Sequence, residues 1–215
     1  MNVLALHTAG GACDICIATE TRLTHRIETM SRGQDAALPS LVNDTLKEAN
    51  LNLKDIDRVS IVTGPGSFTG LRIGLAFARG LGLALGVPVI GVNTLEAAAS
   101  PSGDTPVRVA LMAKKRPPDR SWWVDTVGAG RGAVRGPQEL GEEALAALHA
   151  RDPRPIVTDD TNQLGKVLPG ASILQGAPSA VTAAQIACHT EDPTTRPPLA
   201  AYVREPDADL PKARE

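Results

Sequence analysis

Residues 64–74 read Gly64-Pro65-Gly66-Ser67-Phe68-Thr69-Gly70-Leu71-Arg72-Ile73-Gly74. Before them, Arg58–Thr63 (RVSIVT) is a short run rich in β-branched residues, the pattern of a buried strand. After them, from Thr69 to about Leu85, apolar and small residues continue at helical length until Gly86-Val87-Pro88 breaks the pattern. A strand, a glycine-rich loop and a helix in that order form one α/β unit. Two roles suit such a loop. Backbone N–H groups and the helix dipole can gather an anion there, with Ser67, Thr69 and Arg72 as side-chain donors beside Gly64, Gly66 and Gly70. Alternatively, glycines simply allow positive φ and close packing in a tight junction. The string matches neither GxxxxGK[ST] nor GxGxxG, so spacing alone leaves both open.

Working outward, Asn2–Thr8 reads as a buried strand, Gly10-Gly11 as a hairpin turn, and Ala12–Thr19 and Leu23–Met30 as two further strands. Leu38, Leu41, Val42, Leu46 and Ala49 form one helical stripe, with Asp35 as expected N-cap, Pro39 in the first turn and Asn50 as the stop. With Pro88–Val92 as a fifth strand, the order is β-β-β-α-β-α-β. Three strands can pair by hairpins and two need parallel crossovers. Ser100–Pro106 reads as a hinge. Beyond it come a strand at Val107–Met112, a polar loop at Lys114–Arg120, a short strand opening at Trp122-Trp123 and a glycine-rich run at Gly128–Gly136. A helix at Leu140–Leu148, a strand at Ile156–Thr158 and a helix at Val181–His189 follow. The expected division is a first lobe over 1–99, a reduced second lobe over 107–190 and an extended tail over 191–215, with an apolar knot at Leu199–Val203.

Composition narrows the function classes. The 215 residues carry a formal charge of −2 and five aromatics, two Trp, one Tyr and two Phe. That suits neither a stand-alone nucleic-acid binder nor a base-stacking platform. Lys114–Arg120 (KKRPPDR) reads as a solvated loop rather than an RNA contact. Three cysteines without a disulfide pattern, and a start without a basic signal region, point to the cytoplasm. Cys13 and Cys16 on one strand face opposite ways and read as small core residues. The apolar stretch Ile73–Val92 is interrupted by Arg79 and Pro88, so it reads as a buried helix and strand, with no membrane span. His7, His25, His149 and His189 make no HExxH pair and Ser67 lies outside a GxSxG elbow, so hydrolytic chemistry finds no support. Gly70, Gly74, Ala78 and Gly82 fall four apart on the second helix. Such a face admits either a neighbour within the chain or a helix of a partner.

GPGSFTGLRIG, with Gly80-Leu81-Gly82 and Gly86-Val87-Pro88-Val89-Ile90-Gly91-Val92, resembles the TsaB (YeaZ) family of accessory proteins in tRNA threonylcarbamoyladenosine synthesis. The likeness runs to about Ala99 and returns at Pro198–Leu210. It implies an actin-like ATPase and sugar-kinase fold of two ribonuclease-H-like lobes. It also implies a non-catalytic role beside TsaD, the threonylcarbamoyl-transferring enzyme, and through TsaD the ATPase TsaE, with tRNA reached only indirectly. The helices of the first lobe would bundle with those of TsaD or of a second copy, through Gly70, Gly74, Ala78 and Gly82. Departures stand where the wider fold holds the metal that accompanies ATP: His7-Thr8-Ala9 replaces Asp-Thr-Ser and Met112-Ala113 replaces Asp-Ala. Gly33-Gln34-Asp35 lacks the family's histidine. His7 is therefore expected to be a hydrogen-bonded structural residue. No cofactor, metal or catalytic residue is expected, and a nucleotide-binding enzyme of the same fold is the alternative.

Overall fold

The computed structural model describes residues 1–30, 32–99, 106–128 and 136–203. The expected hinge, apart from Pro106, and the middle of the glycine-rich run lie outside the described residues, as does the end of the family-like C-terminal stretch.

Lobe one contains β1 (Val3–His7), β2 (Ala12–Ala18), β3 (Leu23–Thr29), α1 (Gln34–Glu48), β4 (Arg58–Val62), α2 (Phe68–Leu85) and β5 (Val89–Val92). The sheet order is β3-β2-β1-β4-β5, antiparallel across the first three strands and parallel from β1 through β4 to β5. After α3 (Thr94–Ala98), lobe two contains β6 (Val107–Lys114), β7 (Ser121–Val127), β8 (Gln138–Gly141), α4 (Glu142–Arg151), β9 (Ile156–Thr158), α5 (Thr161–Val167) and β10 (Ile173–Gln175). Its order, β10-β9-β6-β7-β8, repeats the plan of lobe one, with shorter strands at β8, β9 and β10. This doubled mixed sheet has the two-lobed layout that the resemblance implies, with the second lobe reduced.

The central strand β1 is buried on both faces, and its alternation assigns each face a different filling. Leu4 and Leu6 join Ile15, Ile17, Leu38, Val42 and Leu75 under α1 and α2. Val3 and Ala5 join Cys16, Ala18 and the alanine face of α6 (Ala180–His189), namely Ala180, Ala183, Ala184 and Ala187. Small side chains on both partners let that helix approach the strands closely. The expected membership of 107–190 in lobe two is thus corrected at its end: α6 follows the last strand of lobe two but packs on the sheet of lobe one.

At the ends of α1 one detail differs from expectation and one agrees. Gly33, at φ 86°, occupies the N-cap of α1, so Asp35 lies in the first turn and favours the helix through its dipole rather than by capping. Asn50, at φ 57°, takes the left-handed position just past the helix, as its stop role requires. Cys13 and Cys16 do face opposite cores. Burial pushes the Cys16 thiol up to about 12, which leaves it protonated and unreactive at neutral pH.

Candidate functional site

The loop after β4 is folded onto the end of β1. Ser67 donates its backbone N–H to Ala9 O at 2.8 Å, and Thr8 Oγ1 donates to Gly70 O at 2.7 Å. Ser67 caps α2, its Oγ accepting from Gly70 N at 3.3 Å. The glycines are needed for this contact. A Cβ on Gly66 would stand 2.7 Å from Ala9 Cβ, and one on Gly70 2.1 Å from Thr8 O. Gly64 sits at φ 108°, where a side chain would also meet Ala201 O at 2.9 Å. Two N–H groups needed for an anion cradle, those of Ser67 and Gly70, are thereby committed within the chain. Arg72 lies over the Phe68 ring, 3.7 Å from its centroid, and Thr69 is exposed. Of the two roles open to the loop, the packed junction is the one its geometry supports.

Neither position that would hold an ATP-associated metal supplies a carboxylate. His7 is buried, and desolvation holds its imidazole below the usual histidine range, so it is neutral. Its Nδ1 has no hydrogen-bond partner among the described residues, which corrects the expectation of a hydrogen-bonded histidine. Met112 turns its side chain into the core of lobe two with Trp122 and Leu145. Its backbone N–H donates to Asp159 Oδ1 at 2.9 Å. Among the described residues, no three His, Cys, Asp or Glu side chains gather into a metal site. A neutral imidazole and a thioether are poor Mg²⁺ ligands, so these residues do not fit the group.

The sequence reading missed Asp14. It is 2% exposed on β2, receives the Ala180 N–H at 3.0 Å on Oδ2 and pairs its Oδ1 with His25 Nε2 at 2.7 Å. The carboxylate thus meets the N-terminus of α6 and fastens that helix to the first sheet. Its signal was present: a lone charge in the strand Ala-Cys-Asp-Ile-Cys-Ile-Ala.

The small residues of α2 lie on two faces. Gly70, Gly74, Ala78 and Gly82 are buried against the chain's own sheet, which corrects their expected place in a partner groove. A Cβ on Gly74 would stand 2.3 Å from Thr8 Oγ1, and one on Gly82 2.2 Å from Val89 Cγ2. The opposite face carries a second series, Ala76, Gly80 and Ala84, all exposed, and a Cβ on Gly80 would meet nothing within 4 Å. Leu83 beside them is 88% exposed. Ile73, Phe77 and Leu81 are half-buried, and the last two line a groove of about 410 Å³ with Pro39, Val42 and Leu46 of α1. By length and composition α2 is apolar enough to cross a membrane, yet only 33% of it is buried within the chain.

Comparison with known proteins adds the following. Residues 27–114 match the family model described as TsaD, tRNA N6-adenosine threonylcarbamoyltransferase. The TsaB biosynthesis protein of Escherichia coli K12 is 35% identical over 118 residues, 53% of this chain and 51% of its own length. The threonylcarbamoyltransferase of Gluconobacter oxydans is 46% identical over 70 residues, 33% of this chain and 19% of its own. The chain thus spans about half the length, or less, of the curated relatives it matches. Among solved structures, a Pseudomonas aeruginosa protein described as similar to peptidase YeaZ aligns over 94% of this chain and 99% of its own. Its TM-score is 0.75 at 25% identity. YeaZ from the same organism aligns over the same shares at 0.73 and 23% identity, which concerns the fold alone. The resemblance to TsaB (YeaZ) proteins, first carried by residues 64–74, is borne out.

Proposed function

We propose that this chain is the accessory partner of a TsaD-type threonylcarbamoyltransferase in tRNA threonylcarbamoyladenosine synthesis, and that it catalyses no step itself. The named relatives support the role in that synthesis. The observation that carries the partner role is the uncovered outer face of α1 and α2. An 18-residue apolar helix that buries one face against its own sheet and leaves Gly80 and Leu83 open is half of a helix–helix contact. The TsaD match over residues 27–114 includes this helix pair, so the enzyme offers a related pair against which it can pack. Small residues at Ala76, Gly80 and Ala84 permit a close crossing, and Phe77 and Leu81 supply the apolar anchors. Contact with tRNA and with TsaE then runs through the enzyme. A second copy of the chain competes for the same face when the enzyme is absent.

The absence of catalysis is supported by the chemistry at His7 and Met112, where phosphoryl transfer would need metal-holding carboxylates. Reconstitution tests the whole reading. Threonylcarbamoyl transfer to tRNA is measured with the TsaD-type enzyme alone, with this chain alone and with both. Transfer should require the enzyme and rise when the chain is added. Transfer or ATP turnover by the chain alone would make it an enzyme, and an unchanged rate in the mixture would remove the accessory role.

A further inference from the structure

The segment from Pro193 to Val203 is pinned across lobe one. Arg196 O accepts the Gly91 N–H at 2.8 Å, and Ala201 donates its N–H to Thr63 O at 2.8 Å, so the chain runs along the outer edge of β5 and over the end of β4. The Arg196 guanidinium reaches both oxygens of Glu96, at 3.0 and 3.2 Å, and that carboxylate is 5% exposed in the first turn of α3. Arg79 of α2 donates to Pro198 O. The strap fits only because Gly91 lacks a side chain, whose Cβ would stand 2.5 Å from Pro197 O. It delivers Tyr202 to Phe68, ring centroids 5.3 Å apart, with Arg72 over the same Phe68 ring. Leu199 and Tyr202 are nevertheless 62% and 51% exposed, beside the open face of α2.

Resting on the partner reading above, we infer that residues 196–202 are part of the surface that grips the TsaD-type enzyme. Leu199 and Tyr202 touch the enzyme, while the strap holds Phe68, Arg72 and Arg79 in place for it. Three observations converge. The strap's exposed apolar groups continue the uncovered face of α2 rather than forming a separate patch. They are already immobilised by backbone bonds and by the Arg196–Glu96 pair, so little conformational freedom is lost on binding. Arg72 and Arg79 are the only charged residues of α2, and among the described residues no carboxylate lies within ion-pair distance of either. The surface therefore suits an amphipathic helix of the enzyme that carries an acidic side chain opposite Arg72.

The test uses the full chain and the purified TsaD-type enzyme in calorimetric titration. The Leu199→Ser/Tyr202→Ala double variant should bind about fivefold or more weakly, with an unchanged circular dichroism spectrum. Arg196→Met should raise amide exchange at Gly91 and Ala201 and weaken binding to a similar degree. If Arg196→Met fails to fold because the buried Glu96 carboxylate loses its guanidinium, the surface variant still decides. Binding within fivefold of wild type by the double variant would overturn the inference. Gly80→Leu separates the two levels. Loss of binding there with an intact strap variant removes the strap's role and keeps the partner reading, whereas no binding by the wild-type chain removes the reading itself.

Discussion

Replacing Gly74 and Gly80 with alanine, one at a time, places the same methyl group on two faces of one helix. In a helix interior, alanine is favoured over glycine by about 1 kcal/mol, so both variants start with that gain. At Gly80 nothing lies within 4 Å of the new Cβ, and the gain is kept. At Gly74 the Cβ would stand 2.3 Å from Thr8 Oγ1 and 2.9 Å from Ile61 Cδ1. Thr8 cannot easily give way, because its hydroxyl is bonded to Gly70 O at 2.7 Å and it sits where β1 meets the loop. Overpacking of a close-packed core costs about 1–3 kcal/mol, and contacts this short fall at the upper end. The net expectation is a loss of about 1–2 kcal/mol at Gly74 and a gain of up to about 1 kcal/mol at Gly80. For a chain of this size, each kcal/mol moves the melting temperature by about 2–4 °C. Urea denaturation followed by circular dichroism, with thermal melts alongside, measures both. Equal effects of the two substitutions, or a stabilised Gly74→Ala, would refute the assignment of the two faces.

Other consequences follow from single groups. Burial holds His7 below the ordinary histidine pKa in the folded state, so the unfolded chain takes up a proton first as the pH falls. Stability should therefore decline below about pH 6.5, by no more than about 1.4 kcal/mol per pH unit from this group, and His7→Leu should flatten that slope in denaturation curves taken from pH 7 to 5. Asp14→Ala removes the acceptor of Ala180 N and the partner of His25. A loss of about 1.5–3 kcal/mol is expected, with raised amide exchange concentrated in α6. Cys16, its thiol pushed up to about 12, should stay unmodified by iodoacetamide at pH 8 in the native chain and react once urea unfolds it.

The first lobe was legible because its elements are long and their periods clean. The alternation of β1, the stripe of α1 and the glycine loop each agree with the burial they imply. The strand β10 was missed because its Ile-Leu-Gln lacks the wholly β-branched run, Ile-Val-Thr, that marked the equally short β9. Asn93-Thr94-Leu95-Glu96 was a capping-box signal for α3 that went unused. The docking of α6 on the distant sheet depends on contacts between residues more than 160 positions apart, such as Asp14 with Ala180, which local patterns do not encode. The misassigned face of α2 has a different cause. Gly70, Gly74, Ala78 and Gly82 repeat every four residues, and so do Ala76, Gly80 and Ala84. In a helix whose small and apolar residues fall on more than one face, spacing alone cannot say which series meets the sheet. The methyl of Ile61 and the hydroxyl of Thr8, brought there by β4 and β1, decide it.

The outer series is the part of this picture on which function depends, and its most direct test is the affinity of the TsaD-type enzyme for the wild-type chain and for Gly80→Leu. The leucine projects into open space, so the variant should melt at or above the wild-type temperature. With the close crossing blocked, it should lose heat of binding in calorimetry and fail to co-elute with the enzyme. Wild-type affinity in a folded Gly80→Leu chain would contradict the claim that the open face of α2 is where the enzyme docks.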